Sequence, residues 1–140
     1  MMRVMSNKKF FATFAAREGW LTEYATRQLK KRGLKDWKFE IASFYEEELR
    51  AEQGFDDLLG TCIDSDLRIV VFPTLLRLGK FHQRHTVLHE IAHALAPNDH
   101  EHGAVWLEQC SRIMTLSMYL RERSIYGPGH ERNASPLVRN

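Results

Sequence analysis

Two histidines four positions apart, in the stretch HEIAH at residues 89–93, place the strongest constraint on how this chain can fold. Residues four apart lie on one face of an α-helix, so both imidazoles can reach the same point only where the stretch is helical. Leu88, Ile91 and Leu95 recur at helical spacing on the opposite side, as in an amphipathic helix. The pattern therefore predicts a helix over residues 82–96, which the following proline ends.

The same spacing is typical of a metal site with a catalytic base. Imidazole nitrogens are favoured zinc ligands, so His89 and His93 could each place one nitrogen on a single ion. Glu90 lies at the flank of the same helix face, where its carboxylate can reach a water without binding the metal. The five residues therefore supply two candidate ligands and a candidate general base.

A third ligand is available in the loop after the predicted helix. His85 shares the helix face, but it lies eight residues from His93, which is about 12 Å along the axis. The loop offers His100, Glu101 and His102, and residue chemistry leaves all three open. His102 directly precedes a predicted helix, which could hold it firmly. The remaining histidines are expected at the surface: His82, His85 and His130.

Helical periodicity recurs towards both ends of the chain. Residues 10–32 predict one or two amphipathic helices, with a break at Gly19 and a stop at Gly33. A last long helix is predicted to begin near Gly103. Its buried stripe is expected to comprise Trp106, Cys110, Ile113, Ser117 and Leu120.

Three segments between these helices predict strands. WKFEIASF at residues 37–44 alternates apolar and polar side chains, and the acidic run at residues 46–48 is interpreted as a surface connection. LLGTCI at residues 58–63 and LRIVVF at residues 67–72 flank an Asp-Ser-Asp turn and predict a hairpin. Strands and helices are segregated along the chain, so we predict an α+β fold with a small three-stranded antiparallel or mixed sheet.

The composition is ordinary for one globular domain, with 140 residues of which 44% are hydrophobic. No run approaches the roughly 18 apolar residues of a membrane span, and KKFFATFAA near the N-terminus is too short for a signal peptide. Cys62 and Cys110 are too few for a disulfide framework or a four-cysteine zinc site, so we expect two buried thiols. We expect a monomeric, cytoplasmic protein with a domain at residues 1–126 and a flexible tail at residues 127–140.

The net charge of +2 conceals an asymmetry. Residues 1–38 carry ten Lys or Arg against three Asp or Glu, whereas residues 39–66 carry one Arg against nine acids. A basic segment of this kind can bind nucleic acid through its phosphates, or it can be a solvated helix face balanced by the acidic segment. The candidate DNA contacts are Lys8, Lys9, Arg27, Lys30, Lys31, Arg32, Lys35 and Lys38.

The motif HEIAH, followed by HGAVW at residues 102–106, resembles the SprT-like metalloproteases, which include the Spartan-type proteases of DNA–protein crosslinks. In that family an HExxH helix is followed, after a short loop, by HGxxW or HGxxF. The resemblance covers roughly residues 20–120 and includes the glycine-bearing strand LLGTC upstream. It implies a zincin-like minimal metalloprotease domain with an N-terminal helix, the small sheet, the HExxH helix and a C-terminal long helix.

The same resemblance implies the roles of the site residues. His89, His93 and His102 are the implied zinc ligands, and Glu90 is the implied base for peptide hydrolysis. The implied substrates are proteins bound or crosslinked to DNA, lying as extended chains along the sheet edge beside the HExxH helix. Many family members carry a four-cysteine zinc ribbon that binds DNA, which this chain's two cysteines cannot build. DNA contact is therefore expected from the basic segment or from a partner.

Two other classes of function stay open. One is a non-catalytic module that keeps zinc for structure and binds DNA, and the other is a zinc hydrolase of a non-peptide substrate. Glu90 favours catalysis, because a structural zinc site normally closes with four protein ligands and has no need of a base. A second electrophile is expected in a protease site, and Tyr119, Tyr126 and the arginines are the candidates.

Overall fold

A computed structural model of the protein describes residues 7–54, 59–99 and 101–127, with side chains from residue 14 onwards. The described residues form five α-helices and a three-stranded mixed sheet, which confirms the predicted α+β class and the small three-stranded sheet. The helices are α1 (Asn7–Lys31), α2 (Phe44–Glu52), α3 (Lys80–Leu95), α4 (Ala104–Ile113) and α5 (Leu116–Tyr126). The strands are β1 (Lys38–Ile41), β2 (Gly60–Ile63) and β3 (Arg68–Val71).

Helix α1 runs without interruption through Gly19, so the predicted break there is wrong. Leu21, Ala25 and Leu29 are buried at a spacing of four, and burial of this stripe outweighs the roughly 1 kcal/mol that a helical glycine costs. The predicted stop at Gly33 is confirmed. Gly33 has a φ of 81°, and its N–H bonds to the Lys30 carbonyl oxygen at 3.2 Å in a left-handed helix cap.

The sheet has the order β1-β3-β2. Strands β2 and β3 pair antiparallel, which confirms the predicted hairpin, whereas β1 pairs parallel with β3. A parallel pair needs a long crossover connection, and α2 and β2 lie within it. Helices and strands are therefore less segregated along the chain than the sequence suggested.

The acidic run at residues 46–48 lies in helix α2, so its interpretation as a surface connection is wrong. The Ser43 hydroxyl accepts from the Glu46 N–H at 3.1 Å, and the Glu46 carboxylate accepts from the Ser43 N–H at 3.0 Å. This reciprocal capping box satisfies two backbone donors at the helix start. No residue of α2 is buried, so the helix lies on the surface.

Helix α3 confirms the predicted helix over residues 82–96 to within two residues at its start and one at its end. Every residue from 87 to 94 is buried, because α3 packs against α1, both strands of the hairpin, and α4. The face that carries His89 and His93 is therefore covered as well as the apolar face.

The predicted long C-terminal helix is in fact two helices. Helix α4 ends at Ile113, and the Thr115 hydroxyl caps α5 by accepting from the Met118 N–H at 3.3 Å. The break rotates the buried face of the second helix, so the predicted stripe is wrong beyond Ile113. Ser117 and Leu120 are exposed, and the buried side chains of α5 are instead Met118 and Glu122.

Both cysteines are free thiols, as expected, although Cys62 is only half-buried while Cys110 is fully buried. Among the helices of the described residues, none combines the length and the apolarity that crossing a membrane requires. The predicted tail at residues 127–140 lies outside the described residues except for Gly127.

Candidate metal centre

Three histidines converge between α3 and the start of α4. One ring nitrogen from each of His89, His93 and His102 lies within 4.8 Å of the other two, so the group could hold a metal ion. His89 and His93 are one turn apart on α3, and His102 comes from the loop before α4. Their exposed fractions are only 8%, 6% and 9%, so the protein shields this cluster from bulk water.

The spacing of the ligand atoms fits a metal of small radius. The Nε2 atoms of His89 and His102 are 3.1 Å apart. Two nitrogens at about 2.0–2.1 Å from a tetrahedral zinc ion lie roughly 3.3 Å from each other. An all-imidazole ligand set also suits zinc and its transition-metal neighbours, and not the hard cations calcium and magnesium.

The structure describes two of the three alternatives for the third ligand. His102 joins the histidine pair, whereas Glu101 is exposed and is not part of the group. His100 lies outside the described residues. The geometry thus assembles the ligand set that the family resemblance implied.

Asp99 organises the loop that carries His102. Its carboxylate accepts hydrogen bonds from the backbone N–H groups of Glu101 at 3.3 Å, Gly103 at 3.2 Å and Trp106 at 3.0 Å. These bonds satisfy donors at the N-terminus of α4, where a negative charge is also favourable. A Cβ atom on Gly103 would come within 2.7 Å of the same carboxylate, so a larger residue here would displace the Asp99 side chain.

Trp106 forms the floor beneath the three imidazoles. Its side chain is fully buried, and its ring centroid lies 4.9 Å from that of His89, 5.3 Å from that of His93 and 4.6 Å from that of His102. Its indole N–H donates to the His89 carbonyl oxygen at 3.2 Å. The tryptophan therefore joins α4 to α3 and limits the ring orientations of the cluster.

Glu90, the predicted base, is fully buried beside the cluster in sequence and is not a member of it. Among the described residues, neither of its carboxylate oxygens has a hydrogen-bond partner. Burial raises the pKa of Glu90 to about 7, although His89 lowers it and Glu122 raises it further. A buried carboxylate without partners costs stability, which is characteristic of groups kept for chemistry.

Glu122, which sequence reasoning missed, reaches the cluster from α5. Its Oε2 atom accepts from His89 Nδ1 at 2.5 Å and lies 3.2 Å from His85 Nε2. Burial alone would raise the pKa of Glu122, but His89 and His85 together hold it well below its usual range. The predicted exposure of His85 is therefore wrong, since its side chain keeps only 13% of its surface exposed. His82 is exposed as predicted, and His130 lies outside the described residues.

Two tyrosines line a cavity of about 550 Å³ that also reaches His102. The Tyr126 ring stacks on the His102 ring at a centroid distance of 3.9 Å and an angle of 21°. Burial raises the pKa of Tyr126 to about 12, and the charges of Glu122 and Glu90 contribute. Tyr126 is thus a neutral hydroxyl donor near the cluster, while Tyr119 and Arg123 line the same cavity.

The basic segment lies at the end of α1 and the start of β1. Its exposed members are Arg27, Lys30, Lys31, Lys35 and Lys38. Arg32 is half-buried and donates to the Gln28 side-chain oxygen at 3.2 Å. Lys30, Lys35 and Lys38 line a surface groove of about 680 Å³ together with Trp37. The side chains of Lys8 and Lys9 are outside the described set.

Comparisons of the chain with protein-family models, with curated proteins and with solved structures found no match. The resemblance to SprT-like metalloproteases therefore stays a prediction from the motif.

Proposed function

We propose that the protein is a zinc-dependent metalloprotease with a zincin-like fold, related to the SprT-like group. The observation that carries the proposal is a cluster of three imidazoles next to a fully buried glutamate that has no hydrogen-bond partner among the described residues. A site built only for structure gains nothing from such a carboxylate, because an unpaired buried charge destabilises the fold. A catalytic base gains reactivity from the same surroundings.

His89, His93 and His102 would hold the ion. When bound, zinc supplies Lewis-acid chemistry, polarising a water and the scissile carbonyl. The Glu90 carboxylate accepts a proton from the attacking water and later donates it to the leaving amine. The raised pKa of Glu90, near 7, suits a group that must take up and release a proton near neutral pH.

The oxyanion that develops on the scissile carbonyl needs a hydrogen-bond donor. The hydroxyl of Tyr126 stays protonated at neutral pH because burial raises its pKa to about 12. Its ring is held against the implied ligand His102. These two observations favour Tyr126 over Tyr119 as the second electrophile.

Strand β2 offers a place for an extended peptide. Among the described residues, β2 pairs with β3 on one side only, so its other edge can add a peptide strand. The strand packs close to α3, since a Cβ on Gly60 would lie 3.3 Å from Thr86. Burial and then the charge of Glu90 raise the pKa of Cys62 in the same strand, which indicates that β2 runs near the candidate base.

Proteins bound or crosslinked to DNA are the proposed substrates, by resemblance to the family. The exposed lysines around Trp37 support a DNA contact, because clustered lysines neutralise phosphates and an aromatic ring can stack on a base. Such a contact would bring DNA-bound proteins to the protease while the histidine cluster does the chemistry. We propose this role for the exposed basic residues at the end of α1 and the start of β1.

Replacing the base tests the proposal directly. We expect Glu90→Gln to bind about one zinc per chain, like the wild type, and to cleave an unfolded protein at least roughly 100-fold more slowly. Elemental mass spectrometry and gel-based cleavage assays, with and without duplex DNA, measure the two properties. Glu48→Gln, at an exposed glutamate on α2, is the matched control and should behave as wild type.

The strongest competing function is a non-catalytic zinc module that binds DNA, which the basic groove and the shielding of the histidines would also suit. This alternative would be favoured if the wild type and Glu90→Gln both bind duplex DNA in a salt-dependent way and the wild type cleaves no protein. Cleavage by Glu90→Gln at the wild-type rate would remove Glu90 from the mechanism. Activity of the wild type on esters alone would indicate a hydrolase of another substrate class.

A further inference from the structure

The carboxylate of Glu122 is buried and shared between two histidines of α3. It is 4% exposed, and its Oε2 atom contacts His89 Nδ1 at 2.5 Å and His85 Nε2 at 3.2 Å. We propose that Glu122 is a positioning residue of the metal centre, which keeps the proton of His89 on Nδ1 and so leaves Nε2 for the metal. The inference rests on the metal site of the proposed function and does not require peptide hydrolysis.

The tautomer follows from the chemistry of the contact. An ionised carboxylate only accepts hydrogen bonds, so the nitrogen that faces it must carry the proton. In a neutral imidazole the other nitrogen then presents a lone pair. That nitrogen is His89 Nε2, which is the atom 3.1 Å from His102 Nε2. A proton on Nδ1 therefore leaves the unprotonated nitrogen of His89 on the side of the histidine cluster.

His85 holds the carboxylate from the other side. It lies one turn before His89 on α3, and its ring packs edge-on against Phe81 at a centroid distance of 5.7 Å. A buried carboxylate is stable only when it is paired and hydrogen-bonded. With His89 Nδ1 hydrogen-bonded to Oε2 and His85 Nε2 3.2 Å from the same oxygen, Glu122 has little freedom to turn away from His89.

The contact also joins α5 to the metal centre. The residues that α5 buries are Met118 and Glu122, and Met118 belongs to the main apolar core. An apolar residue at position 122 would be enough to pack α5 against the core, so the buried carboxylate suggests a role besides packing. A carboxylate that orients a ligating histidine and raises its basicity has such a role, and removing one typically weakens metal binding by about 10–100-fold.

The test compares Glu122→Gln with Glu108→Gln, its exposed control. We expect Glu122→Gln to fold and to bind zinc about 10–100-fold more weakly, as measured by competition with a chromophoric chelator. Long-range proton–nitrogen NMR of the metal-free protein should show the His89 proton on Nδ1 in the wild type and in Glu108→Gln. His85→Gln provides a second variant that removes only the outer partner of the carboxylate, and we expect it to weaken zinc binding less than Glu122→Gln does.

Zinc affinity within twofold of wild type in a folded Glu122→Gln protein would overturn the inference, as would a wild-type His89 protonated on Nε2. If Glu122→Gln does not fold, the wild-type tautomer decides, and a His89 protonated on Nε2 would overturn the inference. These results are separate from the proposed function. A wild type that binds zinc and shows the expected tautomer but cleaves no protein would count against the protease alone.

Discussion

Helices α2 and α3 are held in place by opposite means. Helix α2 begins with a reciprocal capping box between Ser43 and Glu46, and it has no buried residue. Helix α3 follows Gly79, which provides no side-chain cap, and its residues from 87 to 94 are all buried. Local hydrogen bonds therefore define where α2 starts, whereas packing against the rest of the fold defines α3.

The difference explains where the candidate chemistry lies. Holding Glu90 without a partner costs free energy, which only a well-packed element can supply. The core residues around α3, with Ile91 and Val87 fully buried, provide that free energy. Helix α2 has no buried residues that could supply such free energy. Its polar contacts lie at the surface, for example the Glu47 carboxylate, which accepts from the Thr74 N–H at 3.1 Å. We expect mutations in the two regions to affect different properties.

The largest expected effect is that of Trp106→Ala, because this side chain links α3 to α4. We expect the free energy of unfolding of the metal-free protein to fall by about 3–5 kcal/mol, and zinc binding to be lost with it. Urea denaturation in the presence of a chelator measures the first property. Val105→Ala is the control, because Val105 is 55% exposed on the same helix. Equal stability of the two variants would contradict the view that packing holds the α3 region.

Asp99→Ala should have a smaller effect that reaches stability and metal binding together. Loss of an acceptor for three N–H groups at the start of α4 should cost about 1–2 kcal/mol. Because the same carboxylate orders the loop around His102, we expect zinc affinity to fall roughly tenfold. Thermal unfolding and chelator competition would measure the two effects, with Glu108→Ala on α4 as control. A loss of stability with unchanged zinc affinity would show that the loop positions His102 without Asp99.

The smallest effect is expected at the start of α2. Ser43→Ala removes the capping hydroxyl and should cost about 1 kcal/mol, without any change in zinc affinity or in the rate of protein cleavage. Urea denaturation and the two functional assays give the comparison, and Ser117→Ala, at an exposed helical position, serves as the control. Weaker zinc binding in Ser43→Ala would mean that α2 and the metal centre are coupled, and the contrast between the two helices would not hold.

Much of the fold could be predicted because its signals are local. The spacing of residues 89–93, the alternation in β1 and the turn between β2 and β3 each lie within a few residues of sequence. The helix α2 also has a local signal, the Ser-x-x-Glu of its capping box. That helix was missed because the run of acids at residues 46–48, which begins with the glutamate of the box, suggested a solvated connection.

Other errors have a tertiary origin. No glycine or proline lies near Met114 or Thr115, and only the structure shows that α4 ends there and that Thr115 caps α5. Extending one helical stripe through the break placed Ser117 and Leu120 inside. It also gave no sign of Glu122, which contacts His85 and His89 of α3.

The sequence by itself determined the class of fold, the helix that carries His89 and His93, and a short list of third ligands, because these depend on spacing along the chain. Only the tertiary structure brought His102 to the pair and Glu122 behind His89, since both contacts join residues that are at least nine positions apart in different elements. It also decided that Glu90 is buried without a partner among the described residues. The physical reason is that burial and ion pairing are properties of packing between elements, which local periodicity does not encode.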